Sequence, residues 1–311
     1  MGEVLVTDKV SQVLLDELAR HGVAYTYKPG IGREELLEYA PLYRVIVVRS
    51  RTRIDGEVLE RGSRGRLEAI VRAGIGLDNI DLDAARRLGI RVFNTPNAPV
   101  ESVAELTIGL MIAAARRVVE LNMYARHGKW VKGTGVELAG KRLLIAGLGR
   151  IGGRVAELAR AFNMKVYGYD YPEVLKAKAG LATPVEDLCS GLSIADFISI
   201  HLPLTRETRR LFNREVLKCV KHGAILVNTS RGHIIDPEAL LEALREGRIA
   251  AAALDVLIEE PPRGGAEAEL LNHPRVIVTP HIGSQTVEAQ DRIALDAARI
   301  IIKLLRGGVE P

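Results

Sequence analysis

An apolar segment, a glycine turn, a helix pattern and a second apolar segment that ends in an acid follow one another across residues 143–170. The turn holds Gly147, Gly149 and Gly152, and Asp170 follows roughly 20 residues after it, as in the nucleotide-binding βαβ unit. In such a unit the first glycine permits a tight turn, the second lets the backbone approach a pyrophosphate, and the third lets the helix lie close on the strand. A glycine motif alone also occurs in ordinary loops. With both flanking strands, it predicts a parallel α/β fold that binds a dinucleotide.

Asp170 indicates which dinucleotide the chain prefers. Its carboxylate stands where it can hydrogen-bond the adenosine ribose hydroxyls, and it would repel a 2′-phosphate. Tyr171 and Pro172, which follow it, offer no cation for such a phosphate. The sequence therefore predicts NAD as the cofactor, and the simpler alternative is a βαβ turn with no ligand.

Length and charge narrow the class of protein. A chain of 311 residues is long enough for two domains. The net charge of +4 and the isoelectric point of 9.1 come without a block of Lys and Arg interleaved with aromatic residues, so we expect a solvated surface and no nucleic-acid partner. The longest apolar run, residues 106–115, is too short to cross a bilayer, so we expect no membrane partner.

The N-terminus and the cysteines indicate the cellular compartment in which the protein works. The chain enters directly into a strand pattern, with no basic segment followed by an apolar one, so we expect no signal peptide and a cytoplasmic location. Cys189 and Cys219 are isolated, with no metal-ligand spacing around them, and we expect ordinary thiols, no disulfide and no metal. The abundance of Arg, Glu, Ile and Leu is consistent with a heat-adapted protein from a thermophile.

Apolar periodicity predicts two Rossmann-like, doubly wound parallel-sheet α/β domains with a cleft between them. Strands and helices alternate up to a proline-punctuated segment at residues 94–99, and a long helix is expected at residues 100–128. A fuller series of strands starts at Lys141. The last helix carries a stripe of Ile293, Ala297, Ile300 and Leu304 that needs a partner surface. We therefore expect a discontinuous substrate-binding domain of residues 1–97 and 285–311, and an NAD-binding domain of residues 98–284.

Polar residues follow the predicted strands of the second domain, where open α/β sheets bind their ligands. His281 suits proton transfer near neutral pH, although a lone histidine is more often a surface or core group. Glu260 could accept a hydrogen bond from its ring and stabilise the imidazolium. Arg231 could grip a carboxylate with two hydrogen bonds and polarise a carbonyl, although a strand-end Arg is more often an ion-pair residue. Together the three predict an acid–base site.

Several motifs in one order carry a family resemblance. They are the glycine turn and the segments at residues 72–81, 228–232, 253–262 and 279–283, which include NTSRG, ALDV, EEPP and TPHIG. On these residues, and along essentially its whole length, the chain resembles the D-isomer-specific 2-hydroxyacid dehydrogenases. The resemblance implies NAD-dependent hydride transfer, with dimerisation through the nucleotide-binding domain.

The resemblance also implies roles for particular residues. The implied catalytic set is Arg231, Glu260 and His281. The implied cofactor-binding residues are Gly147, Gly149, Arg150, Ile151, Gly152, Asp170, Leu202, Pro203, Thr229, Ser230, Asp255, Gly283, Ser284 and Ile75. The implied substrate-binding residues are Arg49, Ser50, Arg72, Ala73, Gly74 and Arg231.

Within the family, the chain is most similar to members that oxidise D-3-phosphoglycerate to 3-phosphohydroxypyruvate, the first step of serine synthesis. Arginines at the ends of the N-terminal strands favour this phosphorylated 2-hydroxy acid. The alternatives are a glyoxylate, hydroxypyruvate or D-lactate type reductase, and an NAD(H)-sensing binding protein. The chain ends soon after its last helix, so we expect a short form without regulatory domains and without serine feedback through them.

Overall fold

The computed structural model describes residues 2–308, so residues 1 and 309–311 of the predicted first domain lie outside the described residues. The chain divides into two compact units. The first consists of Met1–Pro99 and Ser284–Pro311, and the second of Val100–Gly283. No helix in residues 2–308 combines the length and the apolar character needed to cross a membrane.

The first unit is a five-stranded, wholly parallel sheet in the order β2-β1-β3-β4-β5. Its strands are β1 (Val4–Val6), β2 (Tyr25–Tyr27), β3 (Val45–Val48), β4 (Ala69–Arg72) and β5 (Arg91–Asn94). Its helices are α1 (Gln12–Arg20), α2 (Arg33–Tyr39), α3 (Gly56–Ser63), α4 (Leu82–Arg87) and α13 (Val287–Leu305), with a 3₁₀ turn at Ala40–Leu42. Alternate residues of the strands enter two separate apolar cores, so both faces of the sheet are covered.

The last helix, α13, completes the first unit. Thr286 caps it by accepting a hydrogen bond from the N–H of Ala289 at 3.1 Å. Its buried face includes Ile293, Ala297 and Leu304, which join the core that β1, β3, β4 and α1 build. The apolar stripe read from the sequence therefore has its partner surface in the N-terminal segment.

The second unit is a seven-stranded parallel sheet in the order β12-β11-β10-β9-β6-β7-β8. Its strands are β6 (Arg142–Ala146), β7 (Lys165–Tyr169), β8 (Thr183–Pro184), β9 (Phe197–Ile200), β10 (Ala224–Asn228), β11 (Ile249–Leu254) and β12 (Val276–Val278). Its helices are α5 (Val100–Ala115), α6 (Val118–Arg126), α7 (Arg150–Ala161), α8 (Pro172–Ala177), α9 (Leu188–Ile194), α10 (Arg214–Lys218), α11 (Pro237–Arg245) and α12 (Gly265–Asn272), with a 3₁₀ turn at Gly232–Ile234. The strand order reverses direction between β6 and β9, and this switch point is where doubly wound sheets bind their ligands.

The prediction of one long helix at residues 100–128 is wrong, because the helix is interrupted between α5 and α6. Arg117 adopts a left-handed conformation with φ +54°. The carbonyl of Ala115 accepts a hydrogen bond from the N–H of Val136 at 2.9 Å, so a later segment takes an acceptor that a continuing helix would use. Gly135 fits tightly here, since a Cβ at this position would lie 2.5 Å from the same carbonyl oxygen. This long-range contact leaves no periodic signal in the sequence.

The expectation of two ordinary thiols is also wrong, because Cys189 and Cys219 form a disulfide. Cys189 lies on α9 and Cys219 follows α10, and their Cα atoms are 5.2 Å apart, within the range that a disulfide requires. Leu192 of α9 and Leu217 of α10 share one apolar core, which brings the two helices together. A sequence separation of 30 residues does not reveal this packing.

Candidate active site

The glycine turn joins β6 to α7 at the switch point of the larger sheet. Gly147 has φ +97°, and its N–H donates to the carbonyl of Tyr169 at 2.9 Å. A Cβ on Gly147 would lie 2.6 Å from the carbonyl carbon of His201, and a Cβ on Gly152 would lie 1.8 Å from the carbonyl oxygen of Gly147. Both positions therefore require glycine because backbone packs directly against them.

The start of α7 has the features of a phosphate cradle. Gly149 is the N-cap residue, and having no side chain it makes no capping hydrogen bond to the first turn. A Cβ on Gly149 would meet nothing within 4 Å, so the space in front of the helix is open. The N–H groups of the first turn, which includes Arg150 and Ile151, point into that space, and a pyrophosphate fits there.

Asp170 follows β7 and lies beside the turn. One carboxylate oxygen accepts from the N–H of Leu148 at 2.6 Å, and the other accepts from the N–H of Tyr171 at 2.7 Å. These bonds fix the orientation of the carboxylate and leave lone pairs for further donors. The position and chemistry of Asp170 fit the hydroxyls of a ribose.

The segments after β9 and β10 are tied to each other. The hydroxyl of Ser230 donates to the carbonyl of Leu202, which precedes Pro203. Thr229 and Thr107 hold their hydroxyl oxygens 2.9 Å apart in a buried contact. The fully buried Asn228 accepts from the N–H of Ser230 at 3.0 Å. Asn228 therefore shapes the loop that carries the predicted cofactor-lining residues, although the sequence reading gave it no role.

The same loop carries Arg231 toward the end of β11. The side-chain amide of Asn228 donates to the carbonyl of Arg231 at 3.0 Å, and an Arg231 Nη donates to the carbonyl of Ser230 at 2.7 Å. A Cβ on Gly232 would lie 2.1 Å from the carbonyl carbon of Leu257, so the loop packs closely on the segment that leads to Glu260. The charge of Arg231 helps to lower the pKa of Glu260.

His281 and Glu260 form a hydrogen-bonded pair. Nδ1 of His281 lies 2.9 Å from one carboxylate oxygen of Glu260, and the other oxygen accepts from the N–H of Leu257 at 3.0 Å. Burial raises the pKa of Glu260, but the hydrogen bond and charge of His281, together with the N–H of Leu257 and the charge of Arg231, hold the pKa below its usual range. The two side chains remain 44% and 38% exposed, so a small molecule can reach the imidazole. The pair has the geometry of an oriented general base.

Asp255 holds the turn that carries His281. One of its carboxylate oxygens accepts from the Thr279 hydroxyl at 2.6 Å and the N–H of Ile282 at 2.9 Å, and the other accepts from the N–H of Gly283 at 2.9 Å. Burial raises the pKa of this carboxyl, and these hydrogen bonds oppose the rise. His281 itself has φ +53°, a conformation that the surrounding turn must stabilise. Asp255 thus supports the imidazole through the backbone.

Besides Asn228, three supporting residues have no role in the predictions made from the sequence. Glu267, in the first turn of α12, accepts from the N–H groups of Ile258 at 2.6 Å and Glu259 at 3.0 Å. His201 holds its Nε2 2.7 Å from the hydroxyl of Ser199, and burial lowers the pKa of His201 to about 3, so its ring is neutral. Thr279, noted above, is the third. The available signal was their position at strand ends or in the first turn of the next helix.

Apart from Arg231, which belongs to the second unit, the predicted substrate residues lie in the first unit. Arg49 and Ser50 follow β3, and Arg72 ends the adjacent β4. An Nη of Arg72 donates to the carbonyl of Ala73 at 2.7 Å. Gly74 has φ +144°, and a Cβ there would lie 1.5 Å from that nitrogen. Gly74 is therefore required for the observed position of the guanidinium.

Two further predicted cofactor residues also belong to the first unit. The carbonyl of Ile75 accepts from the side-chain amide of Asn94 at 2.7 Å, and the carbonyl of Ser284 accepts from that of Gln290 at 2.6 Å. Across residues 2–308, no three His, Cys, Asp or Glu side chains are grouped so as to hold a metal ion.

Comparisons with known proteins bear on both units. A family model described as the D-isomer specific 2-hydroxyacid dehydrogenase NAD binding domain matches residues 108–283. A D-3-phosphoglycerate dehydrogenase of Methanocaldococcus jannaschii is 44% identical over 99% of this chain, and a hydroxypyruvate reductase of Thermotoga maritima is 45% identical over 88% of it. The crystal structure of the TT0316 protein of Thermus thermophilus superposes with a TM-score of 0.88 and 39% identity, covering 99% of this chain and 98% of that one.

The relatives differ in how much of them the chain spans. It spans 58% of the length of the Methanocaldococcus protein and 88% of the length of the Thermotoga protein.

Proposed function

Because the chain belongs to the D-isomer-specific 2-hydroxyacid dehydrogenase family, we propose that it oxidises D-3-phosphoglycerate to 3-phosphohydroxypyruvate with NAD. The observation that carries the proposal is the pairing of His281 with Glu260 at 2.9 Å, in a segment against which the loop of Arg231 packs. An imidazole oriented by a carboxylate, with a guanidinium in the same group, is the chemistry that a 2-hydroxy acid requires.

The second unit supplies the cofactor-binding residues in this proposal. The N–H groups at the start of α7 bind the pyrophosphate, Gly149 leaves room for it, and Asp170 binds the adenosine ribose. NAD held by these residues would supply the acceptor for the hydride that leaves C2 of the substrate. Asp170 favours NAD, since a 2′-phosphate would meet its negative charge.

The catalytic residues act on the substrate as follows. Arg231 binds the substrate carboxylate with paired hydrogen bonds, and His281 takes the proton from the C2 hydroxyl as C2 loses its hydride. Glu260 accepts from Nδ1, which leaves Nε2 facing the substrate and stabilises the imidazolium that forms. Asp255 keeps the turn of His281 in place through three hydrogen bonds.

The arginines of the first unit support a phosphorylated substrate. In our proposal Arg49 and Arg72 bind its phosphate, and Ser50, Ala73 and Gly74 contact it through backbone or hydroxyl groups. Burial lowers the pKa of Arg49, with the negative charge of Asp8 acting against the shift, yet an arginine keeps its charge in proteins. A permanent cation at a strand end suits a phosphate dianion.

One observation favours a second candidate. The Thermotoga relative named hydroxypyruvate reductase is 45% identical and is spanned to 88% of its length. A reductase of an unphosphorylated acid would use the same His281, Glu260 and Arg231, without a need for the phosphate contacts.

Apolar exposure on the second unit supports a homodimer formed through that unit. The exposed side chains include Val118, Val119 and Met123 of α6, and Trp130, which is 87% exposed. α6 buries none of its side chains fully, so this surface suits a second copy of the chain.

We further propose that the enzyme acts in the cytoplasm.

A substrate panel tests the proposed function. The purified chain is assayed with NAD and D-3-phosphoglycerate or D-glycerate, and with NADH and hydroxypyruvate, glyoxylate or pyruvate. We expect the highest kcat/KM with the phosphorylated acid. A preference for an unphosphorylated acid would establish the second candidate, and NADH binding without turnover of any of these acids would indicate a sensor.

A further inference from the structure

We propose that Asp8 and Asn79 are positioning residues that hold residues 49–52, here called the arginine loop, in the conformation that binds the substrate phosphate. The phosphate as ligand rests on the proposed function. The hydrogen bonds that define the loop are present in the structure independently of it.

Asp8, which lies just beyond β1, fixes the loop by accepting hydrogen bonds from the loop's N–H and hydroxyl groups. Its carboxylate accepts from the N–H of Arg49 at 2.5 Å, the N–H of Thr52 at 3.3 Å and the hydroxyl of Thr52 at 2.7 Å. Asp8 is only 3% exposed and Thr52 only 6%, so these bonds lie beneath the loop and are shielded from water. A buried carboxylate with three donors is a well-satisfied group.

Asn79 fixes the same loop by donating hydrogen bonds to the loop's carbonyl groups. Its side-chain amide donates to the carbonyl of Arg49 at 2.7 Å and to the carbonyl of Thr52 at 2.6 Å. The backbone of Asn79 is held separately, because its carbonyl accepts from the N–H of Ile54 at 2.8 Å. Removal of the side chain should therefore free the loop and leave the adjoining backbone contact intact.

Asp8 and Asn79 bind the two ends of the arginine loop, residues 49 and 52, and leave its tip exposed. Ser50 and Arg51 form the tip, and their backbone N–H groups donate to no other group within residues 2–308. The Arg49 side chain donates to the carbonyl of Lys9 at 3.3 Å, and the Arg51 side chain donates to the carbonyl of Gly30 at 3.4 Å. Two successive N–H groups flanked by guanidinium groups form a site for a phosphate oxyanion.

The test compares variants that lose the hydrogen bonds of Asn79 or Asp8 to the arginine loop with matched controls. Asn79→Ala removes both bonds to the carbonyls, and Thr52→Val removes the hydroxyl bond to Asp8, whereas Thr52→Ser retains that hydroxyl. Tyr43→Phe serves as a structural control, because it removes a hydrogen bond of 2.7 Å to Thr26 at the opposite end of the same sheet. For each variant, kcat and KM are measured with D-3-phosphoglycerate and with D-glycerate, together with NADH affinity and the thermal unfolding temperature.

In Asn79→Ala and Thr52→Val we expect KM for D-3-phosphoglycerate to rise about tenfold, with kcat within about twofold, because the phosphate contact is lost equally from ground and transition states. KM for D-glycerate and NADH affinity should stay unchanged, and Thr52→Ser should restore KM for the phosphorylated acid. Equal changes for both acids, or a change no larger than that of Tyr43→Phe, would overturn the positioning role.

A binding measurement separates this proposal from the proposed function. If the wild type prefers an unphosphorylated acid, the proposed function fails. The binding of inorganic phosphate then tests whether Asp8 and Asn79 hold the arginine loop in a phosphate-binding conformation. Phosphate should raise the unfolding temperature of the wild type and of Thr52→Ser, but not of Asn79→Ala or Thr52→Val. A wild type that phosphate does not stabilise, or variants that it stabilises equally, would overturn the proposal.

Discussion

The disulfide between Cys189 and Cys219 should contribute a large share of the stability of the second unit. It closes a loop across a sequence separation of 30 residues. Chain-entropy arithmetic for a loop of this length gives about 3.6 kcal/mol of stabilisation. For a domain of roughly this size each kcal/mol shifts the unfolding temperature by about 2–4 °C, so its loss should lower that temperature by about 7–14 °C.

The position of the disulfide explains why this effect should reach beyond two surface helices. The closed loop contains β9 and the following His201, Leu202 and Pro203, which line the switch point of the sheet. Both cysteine residues are only partly buried, so Cys→Ser changes remove little apolar packing. The loss should therefore reflect the missing cross-link more than a cavity.

The measurement is thermal unfolding of the wild type and of the Cys189→Ser/Cys219→Ser double variant, each with and without a phosphine reductant. Reductant should bring the wild type down to the unfolding temperature of the double variant and should leave that variant unchanged. Turnover at a temperature well below both transitions should be equal, since neither cysteine contacts the proposed catalytic residues.

Thiol titration decides whether the reasoning is sound. The unfolded, unreduced wild type should show no free thiol, because the structure pairs both cysteines. Two titratable thiols in that sample would show that the bond does not form in the protein. An unfolding temperature of the double variant within about 2 °C of the oxidised wild type would refute the entropy argument.

Four other substitutions test the site. His281→Gln should lower kcat by about 10²–10⁴-fold and leave NADH binding, followed by fluorescence, unchanged; unaltered turnover would exclude His281 as the base. Glu260→Gln should lower the unfolding temperature near neutral pH and match the wild type in acid. Against the effect of burial, the hydrogen bond from His281 lowers the pKa of Glu260, so its stabilisation is present above the usual pKa of 4.5 and is lost as the pH falls through the lowered value. Unfolding curves from about pH 3 to 7 measure this, and a gap that does not shrink in acid would contradict it. Gly149→Ala should fold normally and bind NAD poorly, because its Cβ meets only the space reserved for phosphate. Gly152→Ala should instead lose stability without cofactor, because its Cβ would lie 1.8 Å from a carbonyl oxygen; equal stability losses in the two glycine variants, measured by calorimetry, would argue against this division.

The sequence was most informative where a local pattern has one structural meaning. The spacing of Gly147, Gly149 and Gly152 predicted a strand, a turn and a helix start, and each glycine has the packing or open space that the pattern requires. His281 and Glu260 lie 21 residues apart, and their pairing could be expected because both follow strands that end at the same edge of a parallel sheet.

The sequence was least informative where distant segments decide the outcome. The break at Arg117 depends on the N–H of Val136 reaching the Ala115 carbonyl, and no propensity at the break predicts that contact. The disulfide depends on which helices pack side by side, which two isolated cysteines do not indicate. Asn79 likewise appeared only within a family motif, and its two hydrogen bonds to the arginine loop required coordinates.

Transfer of an isotope tests the central claim most directly. D-3-phosphoglycerate carrying deuterium at C2 is incubated with NAD and the purified chain, and the reduced nicotinamide is examined by mass spectrometry, with His281→Gln as the matched control. We predict that the wild type forms NADH with one deuterium per turnover and that the variant forms almost none. Reduced cofactor without deuterium, or no reduced cofactor from this acid while an unphosphorylated one is oxidised, would contradict the account.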